Sequence, residues 1–507
     1  MKKIALWVMV VTVISKLFGF GRELVLSYHY GASSISDAYL VAMTIPGTIF
    51  AFFGVAIATT FIPVYSKILK ESGKETADGF SNSLINVVLV IVTILVIICS
   101  IYTEEIVMAF ASGFKGETLK TAIVFTRISL YAMYFSGLIS IYTSYLQIKN
   151  IFIIPAITGI SLSVLTIISI ILSSKYNILF LPVGTLIATG SQLLLMLPFL
   201  YKTGYRYSLK TNINNQYLKN MLNLSIPVML GVSVNQINIL VDRTIASQII
   251  TGGISALNYA NKINLLIQGI FIMSLVSIMY PMITKIYSEN NIEKLKKVIC
   301  NVINNINIMV LPATIGAMIF AEPLIRFLFG RGSFDQSDVI LTSSALFYYS
   351  LGMFGFGLRE VLSRAFYSMH DTKTPMINAA VGVILNIVLN IILSKYLGVA
   401  GLALATSISA IFTVMLLFWS LRKKIGSLGI KQLLISSLKI LIASLIMGGI
   451  AKLIFNYLIS IINQNIALII AVTIGGLIYC IIIYFMNVND FKRIIKSIKI
   501  KLGKGLF

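Results

Sequence analysis

Ile466–Phe485 reads IALIIAVTIGGLIYCIIIYF, a run without a single charged side chain. At about 1.5 Å of rise per residue, a helix of this kind covers about 30 Å, the thickness of a bilayer's hydrocarbon core. A surface helix of a soluble protein carries a polar face opposite its apolar stripe; this run has almost none. Leu84–Ile98 and Ile151–Leu172 read the same way, and similar runs recur from end to end. Hydrocarbon offers no water to an unpaired backbone group, so a spanning segment is a helix or a strand of a closed barrel. The alternating ten-residue segments of a barrel are missing. Across 507 residues, 58% are hydrophobic and 11% charged, against about 25% charged in a soluble domain. The expected fold is an all-α polytopic membrane protein.

Fourteen candidate spans lie near 4–29, 36–66, 80–101, 121–147, 151–173, 178–200, 217–248, 255–285, 298–321, 338–368, 374–394, 398–420, 433–457 and 465–487. Lys2 and Lys3 ahead of an apolar run resemble a signal-peptide start. The run meets Lys16 and Arg22 without a small-residue cleavage site, so it reads as an uncleaved first span. With the N-terminus inside, most loop Lys and Arg fall on that side, among them Lys67, Lys70, Lys74, Lys202, Arg206, Lys210, Lys294, Lys296, Lys297, Arg422, Lys423 and Lys424, with the tail from Lys492 to Lys504. The outside segments hold only Lys115, Lys120, Lys175, Arg326, Arg331 and Lys395. The positive-inside rule therefore places both termini in the cytoplasm. The net charge of +23 is spread over these loops and the tail, where anionic lipid headgroups explain it better than nucleic acid. Cys99, Cys300 and Cys480 fall in separate apolar runs, with no spacing for a metal or a disulfide framework.

The chain repeats itself. Phe61-Ile-Pro63-Val-Tyr-Ser-Lys67-Ile68 closes the second span, and Met279-Tyr-Pro281-Met-Ile-Thr-Lys285-Ile286 closes the eighth. Pro155 and Pro375 open the fifth and eleventh spans, and those spans end Ser-Lys175-Tyr176 and Ser394-Lys395-Tyr396. The offset from Pro63 to Pro281 is nearly the same as that from Pro155 to Pro375, so two independent anchors stand in one register. A repeat of six spans is even, so the second copy enters from the same side as the first, a parallel repeat that predicts two facing lobes. Spans thirteen and fourteen lie outside it.

Nine basic residues fall inside spans: Lys16, Arg22, Arg127, Arg243, Lys262, Arg359, Arg364, Lys439 and Lys452, with the acids Glu23, Asp37, Asp242 and Glu360. A charge at mid-span costs roughly 2.5–3.5 kcal/mol on the insertion scale, so it faces a watery cavity or a partner. Lys16, Phe20 and Glu23 follow i, i+4, i+7 spacing on one helical face, with Arg22 about 100° from Glu23. They are expected to line a cavity; an internal ion pair is the alternative. Asp37 opens the second span, where a helix cap and a functional acid are equally good readings. Lys262 matches Thr44 across the repeat, so its charge belongs to the second copy alone, and it is assigned to the cavity. Glu360 and Arg364, at i, i+4, read as a structural salt bridge, Asp242 and Arg243 as an interfacial pair, and Arg127, Lys439 and Lys452 as snorkelling side chains. An excess of Lys and Arg favours an anionic cargo, a phosphate or pyrophosphate. Nothing in the sequence has the pattern of a catalytic site: His29 and His370 sit at span ends, and no acidic cluster, nucleophile elbow or phosphate loop is found.

Ser15-Lys16-x-x-Gly19-Phe20-x-Arg22-Glu23, Tyr30-Gly31-Ala32, Ser36-Asp37-Ala38-Tyr39 and Pro46 resemble the opening of the MurJ (MviN) lipid II flippases. So do Arg359-Glu360-Val361-Leu362-x-Arg364-Ala365-Phe366-Tyr367, Asp371-Thr372-Lys373-Thr374-Pro375 and Gly401-Leu402-Ala403-Leu404-Ala405-Thr406-Ser407. The resemblance runs through all fourteen spans. It implies the multidrug/oligosaccharidyl-lipid/polysaccharide exporter fold: an N-lobe at 1–203, a C-lobe at 204–424, two extra helices at 425–490 forming a lipid-tail groove, and a basic cytoplasmic tail at 491–507. It further implies a non-enzymatic flippase that carries undecaprenyl-pyrophosphate-linked lipid II from the inner to the outer leaflet of the bacterial cytoplasmic membrane, without a cofactor. Lys16, Arg22, Glu23, Asp37 and Lys262 would form its substrate cavity. A coupling ion, membrane potential as the driving force and contact with the cell-wall synthesis machinery stay open. Many relatives carry Arg after Pro46, where this chain has Gly47-Thr48-Ile49-Phe50-Ala51, and an acid beyond the eighth-span cation, where it has Asn264-Leu265. Another polyprenyl-linked polysaccharide or teichoic acid precursor stays open as cargo, and a small-molecule drug further behind.

Overall fold

A computed structural model of the protein describes residues 2–209, 216–486 and 491. Lys210 and, apart from Phe491, the basic tail at 491–507 lie outside the described residues. Among the described residues the chain is helical and contains no strand. Among the described residues, ten helices are long and apolar enough to cross a membrane, eleven if the bent pair Gln216–Ile226 and Gly231–Ile249 is one span.

Helix packing divides the chain into two compact units, Met1–Ser255 with Arg331–Asp335, and Ala256–Gly330 with Gln336–Phe507. The first is built from α1 (Lys2–Tyr30), α2 (Ser34–Ile101), α3 (Thr103–Phe110), α4 (Gly116–Leu130), α5 (Ala132–Ile148), α6 (Ile153–Lys175), α7 (Phe180–Lys202) and α8 (Gln216–Ile249). The second holds nearly all of α9 (Gly253–Ser288), then α10 (Ile292–Ile319), α11 (Ala321–Leu328), α12 (Gln336–Ser368), α13 (Lys373–Leu397), α14 (Val399–Ile425), α15 (Ile430–Leu458) and α16 (Gln464–Phe485). The division falls one helix later than the 203/204 boundary that the repeat predicts, because α8 packs along α2 and α3.

In the first unit, α2 runs for 68 residues with one break, at Gly73 (φ 79°, ψ 177°). The inside loop expected between residues 66 and 80 is therefore helical, and a single left-handed glycine makes the turn. Around it lies a core of large rings: Phe61 stacks on Tyr65 and Phe80 with centroids 5.5 and 5.9 Å apart. Tyr65 and Tyr145 both donate to Asp78 Oδ1, at 2.8 and 3.2 Å, which satisfies two buried hydroxyls on one carboxylate. Elsewhere helices meet through small residues. A Cβ on Gly159 of α6 would lie 2.3 Å from Ser15 Oγ of α1, and Ser161 of α6 bonds Ser191 of α7 at 2.7 Å. Close backbone approach and hydroxyl pairs of this kind hold helices together where lipid supplies no hydrophobic drive.

The second unit follows the same rule. A Cβ on Gly352 of α12 would meet Ser407 Cα of α14 at 2.8 Å, and one on Gly355 would meet Ile411 N at 3.0 Å. Helices α15 and α16 attach through α10: Tyr479 Oη donates to Ile308 O at 2.7 Å, and Asn307 Nδ2 to Ser437 Oγ at 2.8 Å. Lys439 reaches Met486 O at 3.2 Å, so it caps the C-terminal end of α16. Glu360 and Arg364 form the expected i, i+4 pair at 3.0 Å.

The backbone carries the repeat more plainly than the side chains do. Left-handed residues recur one repeat apart at Gly31 and Gly252, Gly73 and Asn290, Asn150 and His370, and Gly204 and Gly426, while Gly116, Gly332, Gly398 and Gly429 stand outside these pairs. The separations within the pairs bracket those of the proline anchors. The short helices α3 and α11, which occupy segments read as outside loops, begin at Thr103 and Ala321, the same offset as Pro63 to Pro281.

Asp371, in the turn after α12, accepts from Thr374 N (3.0 Å), Thr374 Oγ1 (2.9 Å) and Lys424 Nζ (2.6 Å). Burial alone would raise its pKa, but these donors outweigh burial and hold the carboxyl below the usual range. A depressed carboxylate stabilises the fold above its unfolded value of about 4, and that contribution is lost as pH falls through the folded value. Asp371→Asn is expected to lower the melting temperature at pH 7, by a free energy of roughly 1 kcal/mol or less. The difference from the parent chain should vanish as the pH is lowered well below 4, and a pH-independent difference would contradict this account.

Candidate functional site

The sequence-predicted residues separate into distinct surroundings. Helix α1 turns Ser15 and Gly19 toward α6, where Gly159 and Ser163 receive them. Further along the same helix Leu26 is buried, and Tyr30 Oη donates to Ser173 Oγ of α6 at 2.7 Å. Glu23 is two turns beyond Ser15 and belongs to this packed side; it is 2% exposed. Lys16 is exposed. Lys16, Phe20 and Glu23, on one helical face by their spacing, thus run from exposed through partly buried to buried along it.

Arg22 and Glu23 form an ion pair, NH2 to Oε1 at 2.8 Å, with 26% of the Arg side chain exposed and 3% of the Glu. A buried carboxylate needs such a partner, and a guanidinium has five donors, so one bond to Glu23 leaves others to engage an anion. Beside the pair stands Tyr39 of α2, buried, its hydroxyl 2.7 Å from Thr185 Oγ1 of α7. The ion-pair reading and the cavity reading are compatible at Arg22: Glu23 anchors a guanidinium that keeps an open side.

Asp37 does not cap its own helix. Ser33 and Ser36 do so in a reciprocal capping box, which frees Asp37 for another task. Its carboxylate is 1% exposed and accepts from Gly252 N at 2.7 Å, from Ser255 N at 2.8 Å and from Ser255 Oγ. Ser36 Oγ lies 2.8 Å from Ser255 Oγ. Arg243 donates to Ile254 O at 3.3 Å and brings positive charge near Asp37. The start of α2 is thereby bound to the turn between α8 and α9, all within the first unit. Gly252 must be glycine there: its φ is +83°, and a Cβ would fall 2.1 Å from Ala32 O.

Lys262, ten residues into α9, is partly buried and belongs to the second unit, whereas the other four belong to the first. Ser36, Tyr39, Gly252 and Ser255 carry no charge and drew no attention as site residues. The repeat held one clue, since Ile35-Ser36 and Ile254-Ser255 are the same dipeptide one repeat apart. Among the described residues no group of three or more His, Cys, Asp or Glu converges to hold a metal ion.

Residues 26–475 match the family model described as "Lipid II flippase MurJ". The lipid II flippase MurJ of Thermosipho africanus is 30% identical over 473 residues, 93% of this chain and 94% of its own length. The probable lipid II flippase MurJ of Buchnera aphidicola subsp. Baizongia pistaciae is 30% identical over 414 residues, 80% and 81% of the two chains. A solved structure of a lipid II flippase MurJ in an inward closed conformation matches with TM-score 0.82 and 30% identity, over 94% of this chain and 97% of the other. An inward-facing MATE family transporter of the MOP superfamily matches with TM-score 0.70 over 83% and 98%; at 17% identity it bears on the fold alone.

Removing the Asp37 carboxylate would strand the Gly252 and Ser255 amides, at about 1–3 kcal/mol for each unmet buried donor. Asp37→Ala is therefore expected to raise hydrogen exchange at residues 250–256 well above that of Asp37→Asn, which keeps one acceptor oxygen. Equal exchange in the two variants would show that the carboxylate does not hold the turn.

Proposed function

This chain belongs to the MurJ lipid II flippase family, and from that premise we propose that it carries lipid II from the inner to the outer leaflet of the cytoplasmic membrane by alternating access. The observation that carries the reading is the family match over residues 26–475; Arg22 and Glu23 lie just ahead of the matched range, in the motif whose resemblance ties them to the cavity. It is a multi-pass membrane protein and a transporter. Its substrate is a diphosphate on a polyprenyl chain, so the protein has to shelter a dianionic headgroup while the tail stays in hydrocarbon.

Arg22 is the phosphate-facing group, held at its root by Glu23. Lys16 and Lys262, compact charges on long stems, draw the headgroup in and follow it. Asp37 holds the outer side shut through Gly252 and Ser255. No cofactor takes part, and the membrane potential is a sufficient source of work, since one charge moved through 100 mV is worth about 2.3 kcal/mol.

The chain crosses the membrane fourteen times, with both termini in the cytoplasm. At about 1.5 Å per residue the 68 residues of α2 would reach about 100 Å, far beyond one bilayer, and the break at Gly73 makes two crossings of them. The paired left-handed turns support two lobes of six crossings at 1–203 and 204–424, with α15 and α16, at 425–490, forming the groove for the tail. The basic tail at 491–507 rests on anionic headgroups of the inner leaflet.

Depletion of the protein should accumulate lipid II in the inner leaflet and lead to lysis. An unchanged lipid II distribution, or accumulation of a different polyprenyl-linked wall precursor, would overturn lipid II as the cargo. Arg22→Ala should insert normally yet fail to support growth, and full complementation by that variant would remove Arg22 from the substrate site.

A further inference from the structure

Two glycines make closer contacts than any alanine could, and they do so as a matched pair. A Cβ on Gly113, in the connection between α3 and α4, would lie 2.0 Å from Ser247 O near the end of α8. A Cβ on Gly332, in the connection between α11 and α12, would lie 2.2 Å from Tyr28 O near the end of α1. Gly113 and Gly332 are separated by the same stretch of chain as Tyr28 and Ser247, one repeat in each case. Each copy of the repeat thus presses the glycine of its loop onto the end of the other copy's first helix. All four residues belong to the first unit.

Hydrogen bonds surround each contact. On one side Gly113 N donates to Ser247 Oγ (3.0 Å), Gln248 Nε2 to Ser112 Oγ (2.7 Å) and Thr244 Oγ1 to Ala109 O (2.6 Å). On the other, Ser333 N donates to Tyr28 O (2.8 Å) and Ser333 Oγ to His29 O (3.0 Å). The groups meeting in these hydrogen bonds are backbone carbonyls and amides and the polar side chains of Ser112, Thr244, Ser247, Gln248 and Ser333. Such a contact gives specificity at little cost when water replaces it, because every group can turn to solvent at a membrane surface.

We propose that Gly113 on Ser247 and Gly332 on Tyr28 are two releasable seats that close the outer side of the transporter together, and that glycine is required at both for closure and not for folding. The inference rests on the alternating-access reading and adds the parts that must separate for the outer side to open. The two glycines are distinguishable. Gly332 has φ +64°, so any substitution strains its own loop, whereas Gly113 has an ordinary backbone and an alanine there would meet only the seat. Gly116 in the same loop is the control: its φ is +55°, but a Cβ there would meet nothing.

The test uses the full chain in lipid nanodiscs, where both membrane faces are open to reagent, with Cys99, Cys300 and Cys480 replaced and Ala38→Cys as the reporter. Ala38, next to Asp37 in the chain, is 0% exposed. Maleimide labelling of the reporter should rise roughly tenfold or more with Gly113→Ala, given what an overpacked contact costs, and stay unchanged with Gly116→Ala. Equal labelling in Gly113→Ala and the parent would overturn the proposal. If Gly113→Ala fails to insert, a second arm decides: bridging Ser112→Cys to Gln248→Cys with a short bifunctional maleimide should abolish growth support reversibly with a cleavable linker, and unimpaired growth would overturn the proposal. Labelling needs no lipid II, so a protein that opens as described but leaves lipid II untouched would refute the cargo and keep the seats.

Discussion

A peptide group inside hydrocarbon has no water to return to, and an unmet one costs several kcal/mol. That constraint decides more of this molecule than any single contact. It makes each spanning segment a helix, and it also governs how the helices meet. In lipid there is no hydrophobic gain from bringing two apolar helices together, so their contacts depend on approach and hydrogen bonding. Gly159 against Ser15, Gly352 against Ser407 and the hydroxyl pair of Ser161 and Ser191 are all solutions of this kind. Charges obey the same accounting. Glu23 is buried only because Arg22 stands 2.8 Å away, and Asp37 only because three donors converge on it.

The fold was largely legible in the sequence because this constraint acts on residues close in the chain. Apolar runs of bilayer length reveal helices, and Pro63 with Pro281 reveals a repeat. Short amphipathic helices such as α3 and α11 were not legible, since so few residues in a segment flanked by charges look like loop. Nor was the helical passage through Lys67, Lys70 and Lys74, where charge suggested a loop and only Gly73 turned out to break the helix. Polar residues at a membrane surface are compatible with either conformation.

The candidate site was legible in its charges and illegible in its geometry. Helical spacing placed Glu23 with Lys16 and Phe20, yet spacing does not report burial, and Glu23 is buried against Arg22 while Lys16 is exposed. For Asp37 the local signal was ambiguous between cap and function, and the answer lay in Ser33, which takes the capping role and leaves the acid unoccupied. The partners that Asp37 does use lie 215 and 218 residues away. No local pattern reports such a contact, and its donors are backbone and hydroxyl groups of residues with no charge to notice.

The reciprocal glycine contacts have the form of an interface between identical subunits, in which residue i meets j and j meets i. At the centre of such an interface a residue can meet its own counterpart, and Ser36 and Ser255 do so across the repeat, with their hydroxyls at 2.8 Å. A hydroxyl suits that position because it can give and accept a proton at once. A carboxylate next to it would not, since two identical copies would bring two negative charges together and force them to share a proton. In a true homodimer Asp37 would therefore be excluded from this place. Carrying both copies on one chain lifts the restriction: the first keeps an acid at position 37, the second has Ala256 at the matching position, and the join acquires a polarity that no symmetric pair could hold.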